Sequence, residues 1–93
     1  MKLICGDSLH KLKDITTTSI DSIITDPPYG IGIFKNEWDK ELPPSEIWQE
    51  CYRVLKPGSF ILAMSAARIY HHLACHIEQA GFKTYPMLGW IYS

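Results

Sequence analysis

Apolar and polar positions change period several times along the chain, and each change marks a predicted element. Residues 2–5 are a short, mostly apolar run ended by Gly6-Asp7 and read as a first strand. Asp7 or Ser8 stands where a cap belongs for a short helix in which Leu9 and Leu12 recur at helical spacing. Residues 16–19 are a polar, β-branched connector. Residues 20–25 then form a strand in which Ile20, Ile23 and Ile24 suggest burial on both faces, the pattern of a central parallel strand.

Between residues 30 and 44 no period survives, which predicts a long loop over the strand ends; loops of that length are often functional. Trp38, within it, either pins the loop to the core or contacts a ligand. Pro43-Pro44 suits a helix start, and Ile47, Trp48, Cys51, Tyr52 and Leu55 follow at helical spacing. Lys56-Pro57-Gly58 stops that helix, with Lys56 as its C-terminal cation. Residues 59–65 form a second buried strand. Residues 66–80 return to helical period through Ile69, Leu73 and Ile77, Gly81 closes the helix, and residues 82–93 read as a last strand.

Strands alternating with helices predict an α/β fold, a doubly wound, Rossmann-like parallel sheet of about four strands and three helices. In such sheets ligands sit outside the carboxyl ends of the strands. Asp7, Asp26 and Ser65 all fall at predicted strand ends, so they are expected to line one rim.

Composition narrows the class. Ninety-three residues make at most one small domain, and 46% hydrophobic with 20% charged residues is an ordinary globular balance. A net charge of -1 argues against gripping nucleic acid by bulk electrostatics, so any such contact is expected to be local or supplied by another segment. Cys5, Cys51 and Cys75 have no CxxC spacing and read as free, buried thiols in a reducing compartment. With no run of membrane-spanning length and no signal-peptide pattern, the cytoplasm is the expected location.

The chemistry concentrates in Asp26-Pro27-Pro28-Tyr29, directly after the second strand. An isolated acid there is more often a cap or turn former. Two consecutive prolines change that, because they fix two φ angles and remove two backbone donors, so nearby carbonyls can point outward as acceptors. A carboxylate beside the Pro27 carbonyl is a pair of acceptors suited to the two hydrogens of an exocyclic amine. Tyr29 offers a flat face, and stacking of a base on an aromatic ring contributes about 1–3 kcal/mol.

These residues resemble the Asp-Pro-Pro-Tyr motif of the S-adenosylmethionine-dependent amino-methyltransferases that modify nucleobases. The likeness extends through Ile4-Cys5-Gly6-Asp7-Ser8 with Leu12, the run 20–30, Trp48, Glu50, Arg53-Val54-Leu55-Lys56-Pro57-Gly58, Ala80-Gly81-Phe82 and Leu88-Gly89-Trp90, in the order found in bacterial and phage adenine-N6 and cytosine-N4 DNA methyltransferases. The resemblance implies that Asp26 and the Pro27 carbonyl hold the target amine, that Pro28 stiffens the motif, and that Tyr29 stacks on a base flipped out of the duplex. It implies S-adenosyl-L-methionine as cofactor, with Asp7 approaching its adenine amine and Gly6 allowing the close contact, and DNA as partner, as in restriction-modification systems. Aspartate at the first motif position favours adenine. The alternatives are cytosine N4 or RNA guanine N2 as target, or a non-catalytic phage-derived remnant or subunit that pairs with another chain.

The glycine-rich cofactor turn of that family, and its ribose-binding acid, have no counterpart in residues 1–93; Gly30-Ile31-Gly32 stands in the wrong context. The chain is therefore expected to be a single, partial catalytic domain, a truncated methyltransferase inactive by itself. In the family's strand order only strands 20–25 and 60–64 would be neighbours. Exposed edges of this kind invite re-pairing, a homo-oligomer or a complementary polypeptide. His71, His72, Cys75 and His76 crowd one helix, but without a third ligand at clear spacing they read as solvated or flanking, and no metal site is expected. Arg68 and Tyr70 could reach a phosphate, although a surface role suits them equally well.

Overall fold

A computed structural model of the chain describes residues 1–27 and 44–89. The elements run α1 (Ser8–Leu12), β1 (Ile20–Thr25), α2 (Ser45–Val54), β2 (Leu55–Ala63) and α3 (Tyr70–Gln79). The alternation expected from the period changes is present through the middle of the chain, and the fold is α/β.

β1 and β2 pair in parallel, with Ser22 opposite Phe60, Ile23 opposite Ile61, Ile24 opposite Leu62 and Thr25 opposite Ala63. The step from Ile20 to Ser22 on β1 is matched by the longer step from Leu55 to Phe60 on β2, so the run through Pro57 and Gly58 bulges out of the ladder. The residue types explain it: Pro57 has no N–H to give the ladder, and Gly58 holds φ at 81°. α2 ends where this run begins, as expected. The cation in its last turn is Arg53, however, and Lys56 lies in β2, donating from Nζ to Asp21 Oδ1 at 2.7 Å.

α2 supplies the centre of the packing. Trp48 and Cys51 fall on one helical face and meet Leu73 and Ile77 of α3; Leu12, Ile23, Ile61, Ala63 and Phe82 close around them. Fully burying side chains of this size contributes about 1.5–3 kcal/mol each. Gly81 ends α3 with φ at 118°, and a Cβ there would stand 3.1 Å from the Tyr52 ring, which itself meets Phe82 edge-on at 5.1 Å.

Two expected strands are not formed among the described residues. Residues 1–5 and 82–89 have no regular structure, and residues 90–93 lie outside the described part. A strand exists only against a ladder partner, and neither β1 nor β2 pairs with these segments. A doubly wound arrangement is likewise not formed among the described residues. α2 and α3 pack on the Ile23 and Ile61 face and α1 packs on α2, whereas on the opposite face Ile24 is 71% exposed, Phe60 67% and Leu62 44%. Burial of β1 on both faces is therefore corrected: one face is covered, and on the other, among the described residues, Phe60 meets Tyr85 edge-on at 5.9 Å. Of the thiols, all free, only Cys51 is buried; Cys5 sits in the irregular N-terminal segment and Cys75 on the outer face of α3. No helix among the described residues is long and apolar enough to cross a membrane.

Gly81→Ala is expected to lower stability by about 1–3 kcal/mol, since it forces an L side chain into glycine-only backbone and against the Tyr52 ring. Urea unfolding followed by tryptophan fluorescence measures it.

Candidate active site

The carboxyl end of β1 is held by its ladder. The Thr25 carbonyl accepts from the Met64 N–H at 3.0 Å, one step beyond the Thr25–Ala63 pair, so Asp26 and Pro27 emerge beside Met64 and Ser65. Asp26 is exposed and Pro27 is buried. A buried, φ-locked proline after the last ladder bond fixes the direction in which the carboxylate leaves the sheet. Pro28, Tyr29 and Trp38 lie outside the described residues.

Asp7 reaches the same place from the other side. Its Oδ2 accepts from the His10 N–H at 3.3 Å and its carbonyl from the Lys11 N–H at 3.0 Å, so Asp7 is the N-cap of α1. Asp7 and Asp26 line one cavity of about 570 Å³, together with Thr25, Pro27, Trp48 and Cys51 and a row of isoleucine and leucine side chains. The expected rim is thus formed by the two aspartates. Ser65, two residues past the end of β2, is not part of the cavity wall, and its buried Oγ has no partner among the described residues. Gly6 lies next to Asp7, outside the wall. Its φ of 149° is a conformation that side chains rarely adopt, which favours glycine at the turn into α1.

The donor set decides what the cavity suits. Among the described residues its lining holds two carboxylates and no lysine or arginine. Apolar walls with a few acceptors at the mouth fit a flat, amine-bearing or positively charged small molecule, and the volume lies within the range of small-ligand sites. The cofactor implied by the resemblance, with its adenine amine and sulfonium charge, fits that set.

Trp48 and Cys51 were expected in the core; their place on the cavity wall was not legible, because a helix face that packs on one side of a groove and lines it on the other has a single period. Trp48 Nε1 is buried without a partner among the described residues. Burial, and secondarily the neighbouring Glu50 charge, push the Cys51 thiol up from its ordinary value of 9.0 to about 11. The histidines of α3 form no metal-binding group with other described residues; His71 and His72 lie ring against ring at 4.0 Å. Arg53 is the residue whose importance sequence reasoning underrated. Its Nε donates to Glu50, Nη1 to the Ile15 carbonyl at 2.9 Å and to Thr17 Oγ1 at 2.8 Å, and Nη2 to the Leu12 carbonyl at 2.9 Å. The i, i+3 pairing of Glu50 with Arg53 was the available signal.

An acid-proline exit from one strand of a parallel sheet, with a second acid on the wall of the same cavity, lies where sheets of the α/β class place ligands, outside the carboxyl ends of the strands. Comparison with known proteins makes the class specific. Residues 20–93 match the family model described as DNA methylase, and the chain belongs to that family of N6 and N4 amino-methyltransferases. It is 35% identical over 100 residues to the type II methyltransferase M.HpaI of Haemophilus parainfluenzae, covering 99% of this chain and 32% of that protein. It is 38% identical over 73 residues to the DNA adenine methyltransferase YhdJ of Escherichia coli (strain K12), covering 69% of this chain and 24% of that protein. The type II methyltransferase M.BglII of Bacillus subtilis is 38% identical over 69 residues, 64% of this chain and 18% of its own. The chain thus spans about a third or less of the length of these relatives. No solved structure matches it.

The thiol chemistry gives a test. At pH 8 Cys5 and Cys75 are expected to react promptly with a colorimetric disulfide reagent, and Cys51 only once the chain is denatured. The same shift bears on stability. A thiol held up from 9.0 to about 11 favours folding below pH 9, and that contribution is lost as pH rises toward about 11. The unfolding midpoint is expected to fall across this window, and less so in Cys51→Ala.

Proposed function

We propose that the chain is the target-base portion of a DNA adenine-N6 methyltransferase that uses S-adenosyl-L-methionine. The observation that carries this reading is the shared cavity: Asp26-Pro27, at the carboxyl end of β1, faces Asp7 across about 570 Å³ of largely apolar space.

Bound there, S-adenosyl-L-methionine supplies an electrophilic methyl group on a sulfonium centre. Asp7 is the residue to take its adenine amine, with the isoleucine and leucine side chains of the cavity against its apolar parts. Asp26 and the Pro27 carbonyl accept the two hydrogens of the target amine, which orients the nitrogen lone pair toward the methyl group. No strong base is needed, because the nitrogen becomes acidic as its bond to carbon forms. The Asp26 carboxylate stabilises the positive charge that develops and lies on the path by which the proton leaves. Tyr29 is assigned to stacking on the flipped base. Adenine is favoured over cytosine N4 and RNA guanine N2 by the aspartate at position 26 and by the relative described as an adenine methyltransferase.

A second element of the proposal concerns partners. The exposed face of Ile24, Phe60 and Leu62 and the second edge of β1, unpaired among the described residues, favour a complementary polypeptide or a second copy as cover. Free thiols favour the cytoplasm as the setting.

Transfer of labelled methyl from S-adenosylmethionine to duplex DNA tests the reading. It is measured with the chain alone and with the portion of M.HpaI that this chain does not match. N6-methyladenine is the expected product, in the supplemented sample above all. Asp26→Ala is expected to lower the rate at least about 100-fold. N4-methylcytosine as product would overturn the adenine assignment, and an unchanged rate in Asp26→Ala would overturn the role of Asp26.

A further inference from the structure

α1 carries Asp7, yet little apolar packing holds it. The helix is five residues long and buries no side chain completely; Leu9 and Leu12 are half-buried. Helices this short do not persist on backbone hydrogen bonds alone. Beyond the contact of Leu12 with the core, what ties α1 to α2 among the described residues is one guanidinium. Arg53, in the last turn of α2, directs four of its five N–H donors to Glu50, the Leu12 and Ile15 carbonyls and Thr17 Oγ1. The Leu12 carbonyl belongs to the C-terminal end of α1, and Ile15 and Thr17 to the connector that leads into β1. Two backbone bonds complete the tether where the connector meets the end of α2, Thr18 N–H to the Arg53 carbonyl at 2.9 Å and Ser19 N–H to the Val54 carbonyl at 2.8 Å.

We propose that Arg53 is a positioning residue for the site: by clamping the C-terminal end of α1 onto α2, it sets where Asp7, at the other end of the same helix, stands relative to Asp26 across the cavity. Glu50 orients the clamp through Nε. The inference rests on the assignment of Asp7 to cofactor binding made above, but the clamp itself is defined by the contacts alone. A guanidinium is required because the acceptors lie in different directions around one plane; the single ammonium of lysine keeps the charge and cannot reach them together.

Nuclear magnetic resonance on the full 93-residue chain separates the two claims. In Arg53→Lys, amide exchange at His10 and Lys11, whose N–H groups bond to Asp7, is expected to accelerate about 10–100-fold, while Leu73 and Ile77 in α3 keep their protection. Glu50→Gln is expected to give a smaller acceleration at the same two amides. Unchanged exchange at His10 and Lys11, or equal acceleration throughout α3, overturns the proposal. The second measurement is titration with S-adenosylhomocysteine, followed at the amides of Asp7, Ser8 and Asp26. Arg53→Lys and Asp7→Asn should each weaken the response, and the double variant should be no weaker than Asp7→Asn alone, because Arg53 acts through Asp7. Additive losses overturn the positioning role. A wild-type chain that shows no shifts with S-adenosylhomocysteine, either alone or with the portion of M.HpaI that it does not match, overturns the cofactor assignment instead and leaves the exchange result to decide the clamp.

Discussion

Parallel pairing of β1 with β2 is the constraint on which the rest of the structure depends. Two parallel strands cannot be joined by a tight turn, so the chain leaving Thr25 must return to the far end of the sheet before Leu55 can begin β2. α2 makes the final part of that return and lays Trp48 and Cys51 over the sheet as it does so. The same geometry places Asp26-Pro27 at the carboxyl end of β1, just past the last ladder bond from the Met64 N–H to the Thr25 carbonyl. Site and crossover are therefore two consequences of one pairing.

The polar contacts differ greatly in weight. The Lys56–Asp21 pair is short, 2.7 Å, but both side chains are largely in water, and exposed pairs of this kind contribute about 0–1 kcal/mol. Arg53 is partly buried, and two of its four acceptors are carbonyls of a segment that has little apolar packing of its own. Hydrogen bonds to a charged group contribute about 1.5–3 kcal/mol each, and here they act on a helix with few alternatives. The molecule thus has an apolar centre built on α2 and α3, and a polar joint that attaches α1 to it.

Much of this was legible in the sequence. The middle of the chain announced itself by clear changes of period: Ile20–Thr25 as strand, the Trp48-Cys51 face as helix, Gly81 as a stop, and Asp7 as a cap. The strand end at Asp26 was legible; Asp7 shares its cavity, but as the N-cap of α1, since no strand forms before it among the described residues, and Ser65 stays off the wall. What failed was whatever depends on a neighbour. Leu3-Ile4 and the run from Tyr85 to Leu88 have strand composition, but composition does not supply a ladder partner. Ile24 carries the side chain of a doubly covered strand, yet no described helix lies on its face. Cys5 and Cys75 were misread for the same reason, since an apolar setting in sequence is not burial in space. Arg53 escaped because its partners stand more than thirty residues away, a separation that no local pattern records.

The electrostatics of the cavity separate two jobs that a DNA methyltransferase must do. A wall with two carboxylates and no cationic side chain among the described residues repels phosphate and attracts positive charge. That suits a sulfonium donor and a nitrogen that becomes positive as it is methylated, and it opposes any close approach of the DNA backbone. A base can enter such a space only if its phosphates stay outside, which is the geometry that flipping a nucleotide out of the stack produces. With a net charge of -1, the chain has little general attraction for the duplex to offer. On the proposed reading, holding DNA would therefore fall to other surfaces or to another polypeptide, and the part assigned to this chain is to receive the amine.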